Sequence, residues 1–289
     1  MKPIFQRLTS QPEEGFSFKT IRGASFDCPW HVHPEYELIL VIHAHGYRIV
    51  GDNVSRLSAG DMVLVGPGLP HIWQDEPVGR RPPSIHARLI QFEDKFLEHG
   101  LLRLPAMGPI RRLLRRAQRG LHIVGETHAK VAVLMNQMAE LVGMERIVQF
   151  LQILVTLAAS EECEPIASTR FAAKTNLFDH ERMDRVFQFL VSEADEPVRL
   201  SDAARVLNLS EGAFSRFFRI HTGKTFPAFR NELRVGRACT LLIEGDLNIT
   251  EVALHCGFMN LSNFNRQFRK LKGMNPHEFR QRFRPRLSH

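Results

Sequence analysis

The last third of the chain is written twice. Residues 203–230 align with residues 253–280 at an offset of fifty, without a gap, and eight of the 28 positions are identical. The matches are Ala203 with Ala253, Phe214 with Phe264, Arg216 with Arg266, Phe218 with Phe268, Arg219 with Arg269, Gly223 with Gly273, Phe229 with Phe279 and Arg230 with Arg280. Self-similarity at a fixed period marks one structural unit used more than once, and a unit this short holds only a pair of helices. In the first copy Ser201 to Val206 carries a short helix, Asn208-Leu209-Ser210 turns, and Ser210 caps a second helix that Gly223 ends. In the second, Asn248 and Glu251 have capping-box spacing, Gly257 lies in the turn, and Asn260 caps a helix that ends near Gly273. Both copies read as helix-turn-helix units.

The second helix of each copy divides by face. Phe214, Phe217, Phe218 and His221 share one side of the first, with Gly212, Ser215, Arg216 and Arg219 opposite. In the second, Phe264, Phe268 and Leu271 face inward, leaving Ser262, Asn263, Arg266 and Gln267 outside. Such a face is either ordinary solvated surface or a reading head. Arginine can donate two hydrogen bonds to guanine and asparagine can bond adenine both ways, and two copies in register favour the reading head. Between them Pro227 to Glu244 reads as a helix with proline in its first turn and Phe229, Leu233, Ala238, Leu241 and Leu242 as apolar positions. A helix of that length spans roughly 24 Å, enough to set two reading helices about one DNA turn apart, roughly 34 Å. Because the outward residues of the copies differ, each chain is expected to recognise an asymmetric site.

Charge agrees with this placement. The net charge is +7, but residues 1–180 hold 20 basic against 19 acidic side chains, whereas residues 181–289 hold 18 against 12. Fifteen of those 18 are arginine, whose planar fork suits phosphate and guanine.

Residues 183–283 resemble the paired helix-turn-helix domain of the AraC/XylS family of bacterial transcription regulators. The resemblance is carried by Ala203, Leu209-Ser210, Phe214-x-Arg216-x-Phe218 and Thr222-Gly223. It continues through Ile249-x-x-Val252-Ala253, Gly257-Phe258, Phe264-x-Arg266-x-Phe268, Gly273-x-x-Pro276 and Phe279-Arg280. It implies base or backbone contacts at Gly212, Ser215 and Arg216 in the first reading helix and at Ser262, Asn263, Asn265 and Arg266 in the second, with Arg219 and Arg269 on the same faces. Gly212 stands where a larger side chain is frequent in the family.

Ahead of this region the pattern changes. From Trp30 to Phe92 short β-rich runs alternate with turn residues: Tyr36 to His43, a turn at Gly51-Asp52-Asn53, Met62 to Val65 after Gly60-Asp61, and Ser84 to Phe92. Short strands spaced this way predict a sandwich or barrel rather than a parallel βαβ sheet. Trp30-His-Val-His-Pro-Glu-Tyr-Glu37 and Gly60-Asp61 followed by Pro67-Gly-Leu-Pro-His71 are similar to the two motifs of cupin barrels, a sensor domain common in the same regulators. His31, His33 and Glu37 share strand parity, and with His71 they compose three histidines and a carboxylate, suited to a divalent transition metal such as zinc, iron, nickel or manganese. The same residues would equally serve as the polar wall of an effector pocket, which Trp30 and Trp73 would flank. His43 and His45 share the parity but lie outside the motif.

Residues 109–119, 126–142 and 145–161 show apolar side chains three and four apart, the sign of helices with a buried stripe. That stripe must pack on the barrel or on a second copy of the chain, so a homodimer is expected. The four cysteines stand far apart with no C-x-x-C pair, which favours reduced, buried thiols. No apolar run approaches the roughly 18 residues of a membrane span, and Met1 to Phe16 does not read as a signal peptide, so a cytoplasmic protein with no membrane partner is expected.

The expected architecture is a two-domain α+β chain. Residues 1–162 form a cupin-like β-barrel with a helical dimerisation segment, 163–180 a linker, and 181–289 an all-α domain of two helix-turn-helix units joined by a linker helix. Its expected function is sequence-specific binding of double-stranded promoter DNA as a non-enzymatic transcription regulator, controlled by a small molecule, sugar or metal in the barrel, with RNA polymerase as a further partner. The competing reading is a metal-dependent cupin enzyme with an accessory helical domain.

Overall fold

The computed structural model describes residues 15–26, 30–75, 84–93, 102, 104–169, 171, 182–183, 185–187, 189–190, 198–244 and 246–283. The chain divides into two compact units, one built from residues 1–53 and 57–177 and the other centred on residues 178–289.

The first unit is β-rich. A six-stranded sheet has the order β1 (Phe16–Gly23), β7 (Ile85–Phe92), β2 (Tyr36–His43), β5 (Met62–Val65), β8 (Leu121–Ile123) and β9 (Cys163–Pro165). A three-stranded sheet has β3 (Gly46–Val50) between β4 (Asn53–Leu57) and β6 (His71–Asp75). The β1–β7, β7–β2, β2–β5, β5–β8, β8–β9 and β3–β6 pairs are all antiparallel.

Strand parity decides which core each side chain enters. In β2 the even residues Leu38 and Leu40 join Met62, Leu64, Ile90 and Phe92 under the helices, while Ile39 and Val41 join Val63, Val65, Ala87, Leu89 and Trp73 between the sheets. The strand is therefore apolar on both faces, which explains why Tyr36 to His43 shows no polar alternation. Three helices cover the outer face: α1 (Gly108–Ala117), α2 (Gly125–Gln137) and α3 (Gly143–Ala158). Ile110, Leu113 and Leu114 of α1, Val131 and Met135 of α2, and Phe150, Ile153, Leu154 and Leu157 of α3 fill the first cluster. Where periodicity predicted one helix over 126–142, α2 stops at Gln137 and the chain turns before Gly143, whose φ of +57° starts α3 from a left-handed residue. Gly66 is obligatory for close packing: its backbone N–H donates to the Ala117 carbonyl at 2.8 Å, and a Cβ would sit 2.7 Å from that carbonyl.

Apolar side chains also remain on the outside of the helices. Val133, Val142, Met144, Val148 and Val155 are all more than half exposed, and Met144, Val148 and Val155 lie on one stripe of α3. The linker expected at 163–180 begins inside the sheet, since Cys163–Pro165 pairs with β8 and Ala167 is buried; residues 170 and 172–180 lie outside the described residues.

The second unit is helical. Among the described residues its helices include α4 (Leu200–Val206), α5 (Glu211–Thr222), α6 (Phe226–Glu244), α7 (Ile249–His255), α8 (Leu261–Lys272) and α9 (Pro276–Phe283). Phe214 meets Phe226 edge-on at 5.4 Å, and Phe218 meets Phe229 at 5.3 Å; in the second copy Phe268 meets Phe279 at 5.4 Å. Edge-to-face pairs add about 0.5 to 1.5 kcal/mol beyond their buried area. Apart from Phe226, whose counterpart is Pro276, these rings are the repeated phenylalanines, so the repeat encodes much of the two cores. Among the described residues no helix is long and apolar enough to cross a membrane.

Candidate functional site

Helices α5 and α8 are each fixed at both ends by local chemistry. The Ser210 hydroxyl accepts from the Ala213 N–H at 3.3 Å, and the Asn260 side-chain oxygen accepts from the Asn263 N–H at 2.7 Å. At the other ends Gly223 and Gly273 take φ of +69° and +73°, the left-handed cap that glycine adopts without a Cβ penalty. Phe214, Phe218, Phe264 and Phe268 are fully buried, which turns the opposite faces of α5 and α8 outward.

On α5, Gly212, Arg216 and Arg219 are exposed and Ser215 is half-buried. On α8, Ser262, Asn265, Arg266 and Arg269 are exposed, while Asn263 is half-buried and its side-chain oxygen accepts from Arg266 Nη2 at 3.0 Å. Gln267, expected outward, is half-buried, as is Leu271, expected inside. A groove of about 500 Å³ lies along α8, bounded by Asn265, Arg266 and Arg269 and by Asn275, Pro276 and His277 at the start of α9. Asn275 and Glu278 cap one another there, each backbone N–H donating to the other's side chain. Asn275 and His277 were not singled out in the sequence because they match no residue of the first copy; Pro276 entered only as part of the Gly273-x-x-Pro276 pattern. Guanidinium groups and amides on a convex helix, with a groove beside it, can meet phosphates and base edges.

The structure also corrects the register of the repeat. Leu209 N–H bonds the Ala204 carbonyl at 3.0 Å and Phe258 N–H bonds the Ala253 carbonyl at 3.0 Å, and the left-handed residues are Asn208 and Gly257. The first helices therefore correspond at an offset of 49, with Ala204 rather than Ala203 equivalent to Ala253. The second turn is one residue longer, and Met259, 82% exposed, stands in the extra length.

In the first unit His31, His33, Glu37 and His71 come together, fully buried, with one ligand atom from each lying within 4.8 Å of the others. Chain order does not produce this; backbone pairing does. His31 and His71 exchange both main-chain hydrogen bonds at 3.1 Å, and Gly68 N–H donates to the His33 carbonyl at 2.9 Å, so the two motifs are sewn together. Strand register then adds Gln91 opposite Glu37, and its amide donates to Glu37 Oε2 at 2.9 Å. Gln91 was invisible in the sequence because cross-strand pairing is not local.

The Nδ1 atoms of His33 and His71 lie 3.0 Å and 2.8 Å from the carbonyls of Glu35 and Leu69. Donation there turns each Nε2 toward Glu37, at 3.1 Å from His33 and 3.7 Å from His71. Burial works to lower the His33 pKa, but the hydrogen bond to Glu37 and the charges of Glu37 and Glu35 outweigh it and raise it. Burial would raise Glu37, yet the His33 hydrogen bond and the neighbouring histidines hold it at about 2. His71 is pushed well below the ordinary histidine value by burial and by His31. Its Nε2 has no hydrogen-bond partner among the described residues, an orphaned lone pair facing three other ligand atoms. That donor set fits a divalent transition metal. The Trp73 ring meets the His71 ring at 4.9 Å, and Trp30 is buried next to His31 in the chain.

Comparison with known proteins covers both units. The family described as "AraC-like ligand binding domain" matches residues 15–139, and the one described as "Helix-turn-helix domain" matches residues 203–282. The chain is similar to the HTH-type transcriptional activator RhaS of Enterobacter sp. (strain 638), 23% identical over 88% of this chain and 87% of that one. It is also similar to the activator RhaR of Mannheimia succiniciproducens, 21% identical over 88% of each chain. Among solved structures, ToxT from Vibrio cholerae O395 aligns over 94% of this chain and 99% of its own, with 14% identity and a TM-score of 0.37. With a ligand-binding region ahead of a helix-turn-helix region, and activators as full-length relatives, the chain belongs to the AraC family of DNA-binding transcription regulators.

Proposed function

We propose that this regulator reads an asymmetric promoter site through α5 and α8 and is controlled by a small molecule or metal held between its two sheets. The observation that supports the reading best is the pair of equally capped helices with arginine-bearing outer faces. Gly212, Ser215, Arg216 and Arg219 contact one major groove, and Ser262, Asn263, Asn265, Arg266 and Arg269 the next. Selection from randomised duplexes with the full chain tests this: one non-palindromic half-site is expected per chain, and no sequence preference at moderate salt overturns it.

In this reading the first unit, including β9 at the start of the segment expected as a linker, is a cupin-like sensor and dimerisation domain, and residues 181–289 are the DNA-binding domain. Trp30, His31, His33, Glu37, His71 and Trp73 line the sensing pocket. His31, His33, Glu37 and His71 hold a divalent transition metal, which when bound would supply a Lewis-acidic centre for an oxygen-bearing effector. The chain's own part is to fix the two imidazoles through the Glu35 and Leu69 carbonyls and to anchor the carboxylate through Gln91. Equilibrium dialysis against zinc and nickel should give about one equivalent for the native chain and none for His71→Ala; less than a tenth of an equivalent in the native chain removes the metal.

The exposed stripe of Met144, Val148 and Val155 supports a homodimer formed through α3. Val148→Glu should shift sedimentation from dimer to monomer, and a native chain that is monomeric at micromolar concentration overturns this part. The relatives are named as activators, which supports a role beside RNA polymerase and a regulator rather than an enzyme. A signal acts only if it binds one arrangement of the regulator better than another.

A further inference from the structure

The extra residue in the second turn gives α8 an approach that α5 lacks. Met259, 82% exposed, directly precedes the Asn260 cap, and Leu261, 38% exposed, is the first residue of α8. Past the turn the two copies align again at an offset of fifty. Leu261 therefore stands where α5 has the exposed Glu211, and Met259 has no counterpart. The tip of α5 is acidic and the tip of α8 is apolar.

Helical spacing places Leu261 on the outward face. Asn265 and Arg269 follow it at intervals of four, and Ser262 and Arg266 form the adjacent row; all five residues are exposed. The apolar tip is thus continuous with the arginine-bearing face that is proposed above to read DNA. A helix-turn-helix brings the N-terminal residues of its second helix to the base edges. Hydrocarbon at that point discriminates among bases. In the major groove thymine alone carries a methyl group, at C5, while the other base edges offer hydrogen-bonding atoms. Covering a polar edge with leucine or methionine strips its water and returns no hydrogen bond. Covering a methyl group removes apolar surface from water on both partners.

We propose that Met259 and Leu261 read thymine through its methyl group, so that the half of the operator under α8 has one thymine, or two adjacent ones, facing this tip. The inference rests on the reading that α8 enters a major groove, and it adds the base selected there and the side chains that select it. Neither residue is among the contacts assigned above, and the first unit has no equivalent.

The test uses the full-length chain and the duplex that emerges from the selection experiment. The half belonging to α8 is the one where Arg266→Ala relaxes base preference. Each thymine in it is replaced in turn by deoxyuridine, which lacks only the methyl group, and affinity is measured at fixed salt. At the one or two positions under the tip, uracil should weaken binding of the native chain about fourfold per methyl lost. Met259→Ala and Leu261→Ser should each shrink that penalty, and together they should bind the thymine and uracil duplexes alike. Met259 is so exposed that Met259→Ala decides the matter even if Leu261→Ser fails to fold. Uracil without effect at every thymine, an undiminished penalty in the folded variants, or a preferred half-site without thymine overturns the inference and leaves the groove reading intact. Variants that lose transcription activation but keep the full uracil penalty would assign the patch, with the exposed Leu254 of α7, to a protein partner, and overturn it as well. If selection yields no preferred sequence, the groove reading itself falls and this inference with it.

Discussion

The two helix-turn-helix units share a scaffold and differ in what they offer outward. Both reading helices have twelve residues, a side-chain cap at the start and a left-handed glycine at the end. Both bury a phenylalanine pair four residues apart. Outside, α5 presents a glycine at position 212 where α8 presents Ser262, and only α8 has an arginine steadied by a neighbouring amide, Arg266 on Asn263. The second turn is longer by Met259. The repeat keeps what packing fixes and varies what faces outward, the difference on which the proposed reading of two groove segments rests.

The largest expected effect probes the shared part. Phe214→Ala and Phe264→Ala should each destabilise the helical unit by about 3 to 5 kcal/mol, the usual cost of emptying a phenylalanine site. Urea denaturation measures both; costs differing by more than half would show that the scaffolds are not equivalent. Next comes the reading face. Arg266→Ala should weaken specific binding by about 1 to 3 kcal/mol and relax preference at one base pair. Arg216→Ala should do the same at a different base pair. Equal losses on random duplexes would make these phosphate contacts and erase the proposed division of labour.

The caps provide a finer comparison. Ser210→Ala and Asn260→Ala should each cost about 1 kcal/mol, since each removes an acceptor from an N–H that has no helical partner. A negligible loss at either site, by denaturant midpoint, would show that water replaces the cap. The smallest effect belongs to Gly212, which has nothing within 4 Å of a built Cβ. Gly212→Ala should stabilise α5 by roughly 0.5 to 1 kcal/mol by restricting the unfolded chain. If it weakens DNA binding instead, the bare backbone at 212 approaches the duplex.

Much of this was readable in advance. The repeat, its caps and its phenylalanines are local signals, and they placed α5 and α8 with their arginines outward. The alignment nonetheless paired Ala203 with Ala253, since identity cannot reveal a one-residue change in turn length; the hydrogen bonds from Leu209 and Phe258 do. In the first unit, strand parity predicts one shared face for His31, His33 and Glu37; they do converge, but only Glu37 lies in β2, and His31 and His33 are placed by main-chain hydrogen bonds to His71 and Gly68. Parity could not bring in Gln91, which no motif marks and which reaches Glu37 through strand register.

What the amino-acid order settled alone was the periodic part: which helices form and which stripe turns inward. Hydrogen bonding within a few residues and the 3.6-residue turn are enough for that. Tertiary structure alone decided the company each buried polar group keeps. His31 sits 40 positions from His71, and their rings are brought to 4.2 Å by an isolated main-chain bridge that the whole fold positions. Register is a collective property of a sheet, since shifting a strand by one residue turns every side chain to the other face.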